Sequence, residues 1–364
     1  MDSVTQFTLG ACVGVAVLGR KIGPRRAALT GGVLGTLPDL DVFIAPDDPI
    51  DAFTQHRGWT HSLFVHAALT PLFGEVIRRL FKSLHDQTIQ AYAAVFLCLT
   101  THALLDAMTV YGTRLFWPFL TDPVGLGSIF IIDPLYTLPL LVLMVWAFFV
   151  RSMTPRLNKA AVVCIGISTA YLGWTVIAQN WITQRANVLL SKNGISPDRI
   201  LAISTPFNSL VWRVIGIEGN RYFNLYMTVF DTTNTAKLYS YSRNLRFTAC
   251  SETADRIAKV AKFSQGYYRV IVNGTRISVA DVRMGLTPGY AFNFTLGQIK
   301  NGKLVTAPTV RLDRRGEINR DLEWLLAKLG NRPETRPAEA AAKIDLVSYA
   351  ATKEQSNLPK GCRS

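Results

Sequence analysis

The sequence predicts an α-helical polytopic membrane bundle of about six spans, followed by a β-rich α+β soluble domain. Three observations carry that expectation. Long uncharged apolar runs fill the first half of the 364 residues, and a spanning helix needs about 20 mostly apolar residues. Charge is partitioned: residues 1–180 hold 12 Lys/Arg and 11 Asp/Glu, while residues 181–364 hold 27 and 14 and so carry 13 of the net +14. Beyond residue 199, short aromatic and β-branched runs are punctuated by Gly, Asn and Pro, the pattern of strands and turns.

The membrane domain is expected over 1–184. Its apolar runs are 3–19, 27–37, 58–74, 87–105, 134–150 and 160–184. Met1-Asp2-Ser3 lacks the basic start of a secretory signal, so the first run is expected to be retained. The second run leads into Leu37-Pro38-Asp39-Leu40-Asp41 and is the weakest, suited to a re-entrant or tilted segment. Loop charge then sets orientation. Arg20, Lys21, Arg25, Arg26, Arg78, Arg79, Lys82, Arg151, Arg156 and Lys159 fall in alternate loops, against Arg57 and Arg114 in the others. That bias places both ends of the bundle, and the domain after it, outside the cytoplasm of a bacterial inner membrane.

In the second domain, 199–330, strands are expected over 210–217, 221–230, 267–272, 276–282 and 290–294. Helical spacing marks 251–263, with Ser251 as cap, and 319–329. Residues 331–364, rich in Pro, Ala and Glu, read as a mobile tail. Cys12, Cys98 and Cys164 sit in apolar runs without metal-binding spacing, whereas Cys250 and Cys362 are free to pair in an oxidising compartment.

The chemistry is concentrated in the first domain. Four of the five histidines, His56, His61, His66 and His102, lie among Asp39, Asp41 and Asp106 within or beside apolar runs. Ionisable groups are costly in a bilayer and mark function by default, and Asp with His is a donor set that zinc accepts. His102 and Asp106, at i and i+4, share a helix face, where they chelate one ion, or Asp106 orients His102, or the pair simply packs. Asp39 and Asp41 share a face only if Pro38 makes the segment extended; taken alone, an acidic loop after a helix explains them better. Within His56-Arg57-Gly58-Trp59-Thr60-His61-Ser62, Thr60 or a neighbour caps the third helix, and His61 projects from its first turn. Arg57 suits an anionic substrate group rather than a cation. His66, five residues past His61, fits helix packing, and His85 fits a solvated loop. Asp133-Pro134 fits a helix cap better than a ligand.

These strings resemble the membrane-bound metal-dependent hydrolases of the YdjM/YbcI type. The matching residues are 35–41 (Gly-x-Leu-Pro-Asp-x-Asp), His56-Arg57-Gly58 with Thr60-His61-Ser62, His102-x-x-x-Asp106 before Gly112-Thr113, and Trp117-Pro118-Phe119. The resemblance covers about 1–180. It implies Asp39, Asp41, His56, His61, His102 and Asp106 as metal-site residues, and a hydrolase without naming a substrate. A more distant likeness is to zinc phospholipase C and P1-type nucleases, through the His-x-x-x-Asp element. Those enzymes also use an N-terminal Trp amine, for which this sequence has Met1.

The expected function is metal-dependent hydrolysis of an ester or phosphoester, lipid or lipid-linked, at the outer face. One or two divalent ions, zinc by preference, activate water; a carboxylate of Asp39, Asp41 or Asp106 not spent on the ion takes its proton, and Arg57 holds phosphate. The rival is a metal carrier or envelope scaffold using the same cluster structurally. No inner Asp/His set continues a path across the bilayer, which disfavours a carrier. No zinc-finger, RNP-like or helix-turn-helix string accompanies the basic second domain, so anionic lipid or envelope polymer is the expected partner rather than nucleic acid.

Overall fold

The computed structural model describes residues 1–231, 236–250, 253–301, 303–313, 318–330, 332 and 334–341. Helices α1 (Ser3–Ile22), α2 (Pro24–Thr36), α3 (Pro49–Gln55), α4 (Leu63–Leu80), α5 (Thr88–Met108), α6 (Pro134–Phe149) and α7 (Pro155–Lys192) come first. Local chemistry sets their ends. Asp2 accepts from the backbone N–H groups of Val4 and Thr5 and caps α1, while Arg20 and Lys21 complement its C-terminal dipole. Gly23, at φ +84°, breaks the chain and Pro24 opens α2. Asp133 caps α6 by accepting from Leu135 and Tyr136 N–H, with Pro134 at the first helical position, so it serves as the expected cap.

Helices occupy all six expected positions, but among the described residues four candidates, not six, are long and apolar enough to cross a membrane: Ser3–Ile22, Pro24–Ile44, Thr88–Met108 and Pro155–Lys192. The 16 residues of α6 reach about 24 Å, short of a hydrocarbon layer of about 30 Å. Glu75, Arg78 and Arg79 charge the last turns of α4.

The seam between α1 and α2 is built of small residues. A methyl added at Gly10, Gly14 or Gly31 would run into the backbone of the facing helix, so only glycine permits this approach. Cys12, Val15, Leu18, Val95, Leu140 and Leu143 fill the core around it.

The later elements are β1 (Arg199–Ser204), β2 (Val211–Glu218), β3 (Arg221–Thr228), β4 (Leu238–Ser242), α8 (Ala254–Phe263), β5 (Tyr268–Asn273), β6 (Arg276–Asp281), β7 (Gly285–Leu286), β8 (Gly289–Tyr290), β9 (Asn293–Lys300), β10 (Lys303–Thr306), α9 (Ile318–Leu329) and α10 (Pro337–Ala341). Two four-stranded antiparallel sheets run β1-β2-β3-β4 and β10-β9-β6-β5, and β7 pairs with β8. The expected strand 290–294 divides between β8 and β9, and α8 begins at Ala254 behind Thr253; Ser251 lies outside the described residues.

The chain forms two compact units. One comprises Met1–Ile44, His56–Ile177 and Pro206–Ser209; the other comprises Ala45–Gln55, Ala178–Thr205 and Leu210–Ser364. The boundary expected near 184 therefore misses an insertion: α3 belongs to the second unit. There Phe53 stacks on Phe292 at 4.3 Å and packs edge-on against Phe263 at 4.6 Å, and Asp51 pairs with Lys259. In the expected tail, Arg336 and Glu339 are buried, with Arg336 gripping Asp321 through two bonds of 2.8 Å. Residues 342–364 lie outside the described residues, and so does Cys362; Cys250 is buried.

Candidate metal centre

Three chain segments meet in the first unit. The segment after α2 winds into a 3₁₀ helix, Leu37–Ile44, rather than the extended stretch that would point Asp39 and Asp41 the same way. At three residues per turn, i and i+2 diverge. Asp39 accordingly faces His61 and His102, while Asp41 faces His56 and Thr60. His61 sits in a short 3₁₀ turn, Trp59–His61, just before α4; Ser62, not Thr60, occupies the cap position, without a side-chain cap bond. The buried end of α5 supplies His102 and Asp106.

Four atoms converge: Asp39 Oδ1, His61 Nε2, His102 Nε2 and Asp106 Oδ2, all within 4.8 Å of one another. His61 Nε2 lies 3.1 Å from His102 Nε2, 3.3 Å from Asp39 and 3.3 Å from Asp106. His102 Nε2 lies 3.5 Å from Asp39 and 3.4 Å from Asp106. A tetrahedron with ligands about 2.0–2.2 Å from a central zinc has edges of about 3.3–3.6 Å. Five of the six edges thus have the right length or nearly so.

The tautomers agree with that geometry. His102 Nδ1 donates to the Gly35 carbonyl at 2.6 Å, which leaves Nε2 as the lone-pair nitrogen. Thr60 Oγ1 donates to Asp41 Oδ2 at 3.0 Å and lies 3.0 Å from His61 Nδ1, from which it accepts. His61 Nε2 is then also a lone-pair nitrogen. Asp39 Oδ1 and Asp106 Oδ2 are buried with no hydrogen-bond partner among the described residues. With both imidazoles neutral, these four lone-pair atoms repel one another, and a cation between them would relieve the conflict that Arg57, 3.1 Å from Asp106 Oδ2 alone, does not.

Asp41 and His56 stand outside these four. Asp41 Oδ1 meets His56 Nδ1 at 2.8 Å, and its Oδ2 accepts from the Arg57 backbone N–H at 2.9 Å. Arg57 is buried, at φ +59°, with Nε 3.1 Å from Asp106 Oδ2, Nη1 donating to Thr109 and its guanidinium 5.0 Å over the Tyr111 ring. Its Nε–H is not aimed at the carboxylate, which keeps Asp106 Oδ2 free toward the cluster. His66 bonds the Thr60 carbonyl at 2.8 Å and packs; His85 is exposed. Sequence reasoning passed over Gln6, which donates to Asp106 Oδ1 at 3.0 Å, and the buried Met1 amino group, which pairs with the same oxygen. The one available signal was Gln6 itself, a lone amide in an apolar run.

A family model described as YdjM inner membrane protein matches residues 1–182. The chain belongs to the YdjM family. No curated protein and no solved structure matches it. The YdjM match contains all four converging residues and most of α7, and it identifies an integral inner membrane protein. It lends nothing to the zinc phospholipase C or P1 nuclease likeness.

Proposed function

We propose that this YdjM protein is a metal-dependent hydrolase of an ester or phosphoester, acting at the outer face of the membrane with one divalent ion, preferably zinc. The observation that carries the reading is the set of four acceptor atoms at tetrahedral spacing with no donor among them. Asp39, His61, His102 and Asp106 would hold the ion. Such an ion supplies Lewis acidity, acidifying water and polarising a carbonyl or phosphoryl oxygen. Asp39, 21 % exposed where the other three are at most 1 %, is the member open to incoming substrate and the best placed to take a proton. Asp41 fixes His56, the Arg57 backbone and Thr60, and so orients His61. Arg57 Nη2 makes no hydrogen bond among the described residues and is available to a phosphate oxygen. The lean charge of the loops around Arg57 and Arg114 supports an outward site and an extracytoplasmic second unit.

A second reading has its own support. Four protein atoms already complete a tetrahedron, as in structural zinc sites, whereas catalytic ions keep a position open. Hydrolysis therefore requires Asp39 to yield its place or the coordination to expand. Metal analysis of detergent-purified protein, with a phosphoester and lipid-ester screen, separates the cases. The hydrolase reading expects about one ion per chain, activity that disappears with chelation, and loss of both in His102→Ala and Asp106→Asn proteins that still insert. Full metal content in those variants overturns the site; metal without hydrolysis of any ester leaves the structural reading.

A further inference from the structure

A second site lies within the second unit and shares no residue with the Asp/His cluster. One face of the β5–β6 hairpin carries Arg269, Asn273, Arg276 and Ser278: Asn273 pairs with Arg276 across the strands, and Arg269 and Ser278 lie at alternate positions on the same side. The opposite face, with Val270, Ile277 and Val279, is buried in the core. The first face borders a cavity of about 460 Å³, whose lining also includes Tyr290 and Asn293. That volume falls within the range of about 300–1,000 Å³ typical of small-molecule pockets.

Charge in the cavity is unbalanced. Arg269 donates to Tyr222 at 3.3 Å and lies 5.6 Å over its ring, yet its buried Nε has no partner among the described residues. No carboxylate among the described residues lies within ion-pair distance of Arg269 or of the exposed Arg276. The one acid in the lining, the exposed Asp313, opposes two guanidiniums. Two guanidiniums lining one cavity, the half-buried Arg269 with an Nε unpaired among the described residues and the exposed Arg276, are stabilised by an anion, and their planar donors match phosphate. Asn293 Oδ1, buried without a partner, is an acceptor left for a hydroxyl.

We propose that this cavity binds a small phosphorylated polyol, its phosphate held by Arg269 and Arg276 and a hydroxyl by Asn293. A free metabolite and a lipid headgroup both offer this phosphate to the two arginines.

Calorimetry on the full-length protein in detergent tests it, with glycerol 3-phosphate, glycerophosphoglycerol as a soluble headgroup, inorganic phosphate and glycerol as probes. Glycerol 3-phosphate should bind and glycerol should not. Arg276→Ala, a change at an exposed position, should weaken binding about tenfold or more while the thermal midpoint without ligand stays put. Arg269→Gln should weaken it further, and Asp313→Asn should tighten it by removing the opposing charge. Tighter binding of glycerophosphoglycerol assigns the headgroup source, and tighter binding of glycerol 3-phosphate the free one. No binding of any phosphate at millimolar concentration, or equal binding by wild type, Arg276→Ala and Asp313→Asn, overturns the proposal.

Discussion

His102 owes its working tautomer to a backbone atom. The Gly35 carbonyl fixes the proton on Nδ1 and aims Nε2 at the cluster, a role no side-chain pattern announces. The side chains themselves were legible: Asp39, His61, His102 and Asp106 stand out as polar residues in apolar surroundings. What the pattern left open was the division of labour, because a 3₁₀ turn, not an extended stretch, separates Asp39 from Asp41. In the second unit, Glu339 is buried and accepts from Tyr226 at 2.9 Å and Asn224 at 3.2 Å. Burial pushes its carboxyl up to about 7. A group whose folded pKa lies above its unfolded value of about 4.5 favours the fold when protonated, so its contribution is whole below pH 4.5 and is lost as pH rises through 7. The second unit should lose at most about 3 kcal/mol over that window. Denaturant titrations from pH 4.5 to 8 should show this loss, and Glu339→Gln should flatten it.

Between α1 and α2 the glycine seam sets the height of Gly35 against α5, since Gly10 and Gly35 are themselves in contact. Gly31→Leu should force the two helices apart, lower the midpoint of thermal unfolding and loosen metal retention about tenfold by withdrawing the Gly35 carbonyl from His102. Unchanged retention with a lowered midpoint would separate packing from site geometry. Elements with a strong period or composition were readable in advance: the apolar helices, β2, β3, β5 and β6. The strand β1, Arg199–Ser204, was not, because its four consecutive apolar residues, Ile200 to Ile203, show no alternation and are too few to tell a strand from a helix. Short edge strands such as β10, Lys303–Thr306, bury one residue in four and show no alternation long enough to recognise.

Across the chain as a whole, charge and hydropathy foretold two bodies but not how the polypeptide is shared between them. Nothing in the composition of 45–55 says that Phe53 completes an aromatic cluster with Phe263, Phe292 and Phe294, some 210 to 240 residues later. Phe53→Ala should destabilise the second unit by about 3–5 kcal/mol, read as a shift in its denaturation midpoint, since a fully enclosed ring is removed. The same threading has an engineering corollary. The stretch joining Asp41 to His56 is stitched into the second body by Ile50 and Phe53, both almost wholly enclosed. Cutting the gene after α7 would therefore strip the greasy side of that hook bare, and a graft of the membrane half onto another partner would have to bring a new socket for it.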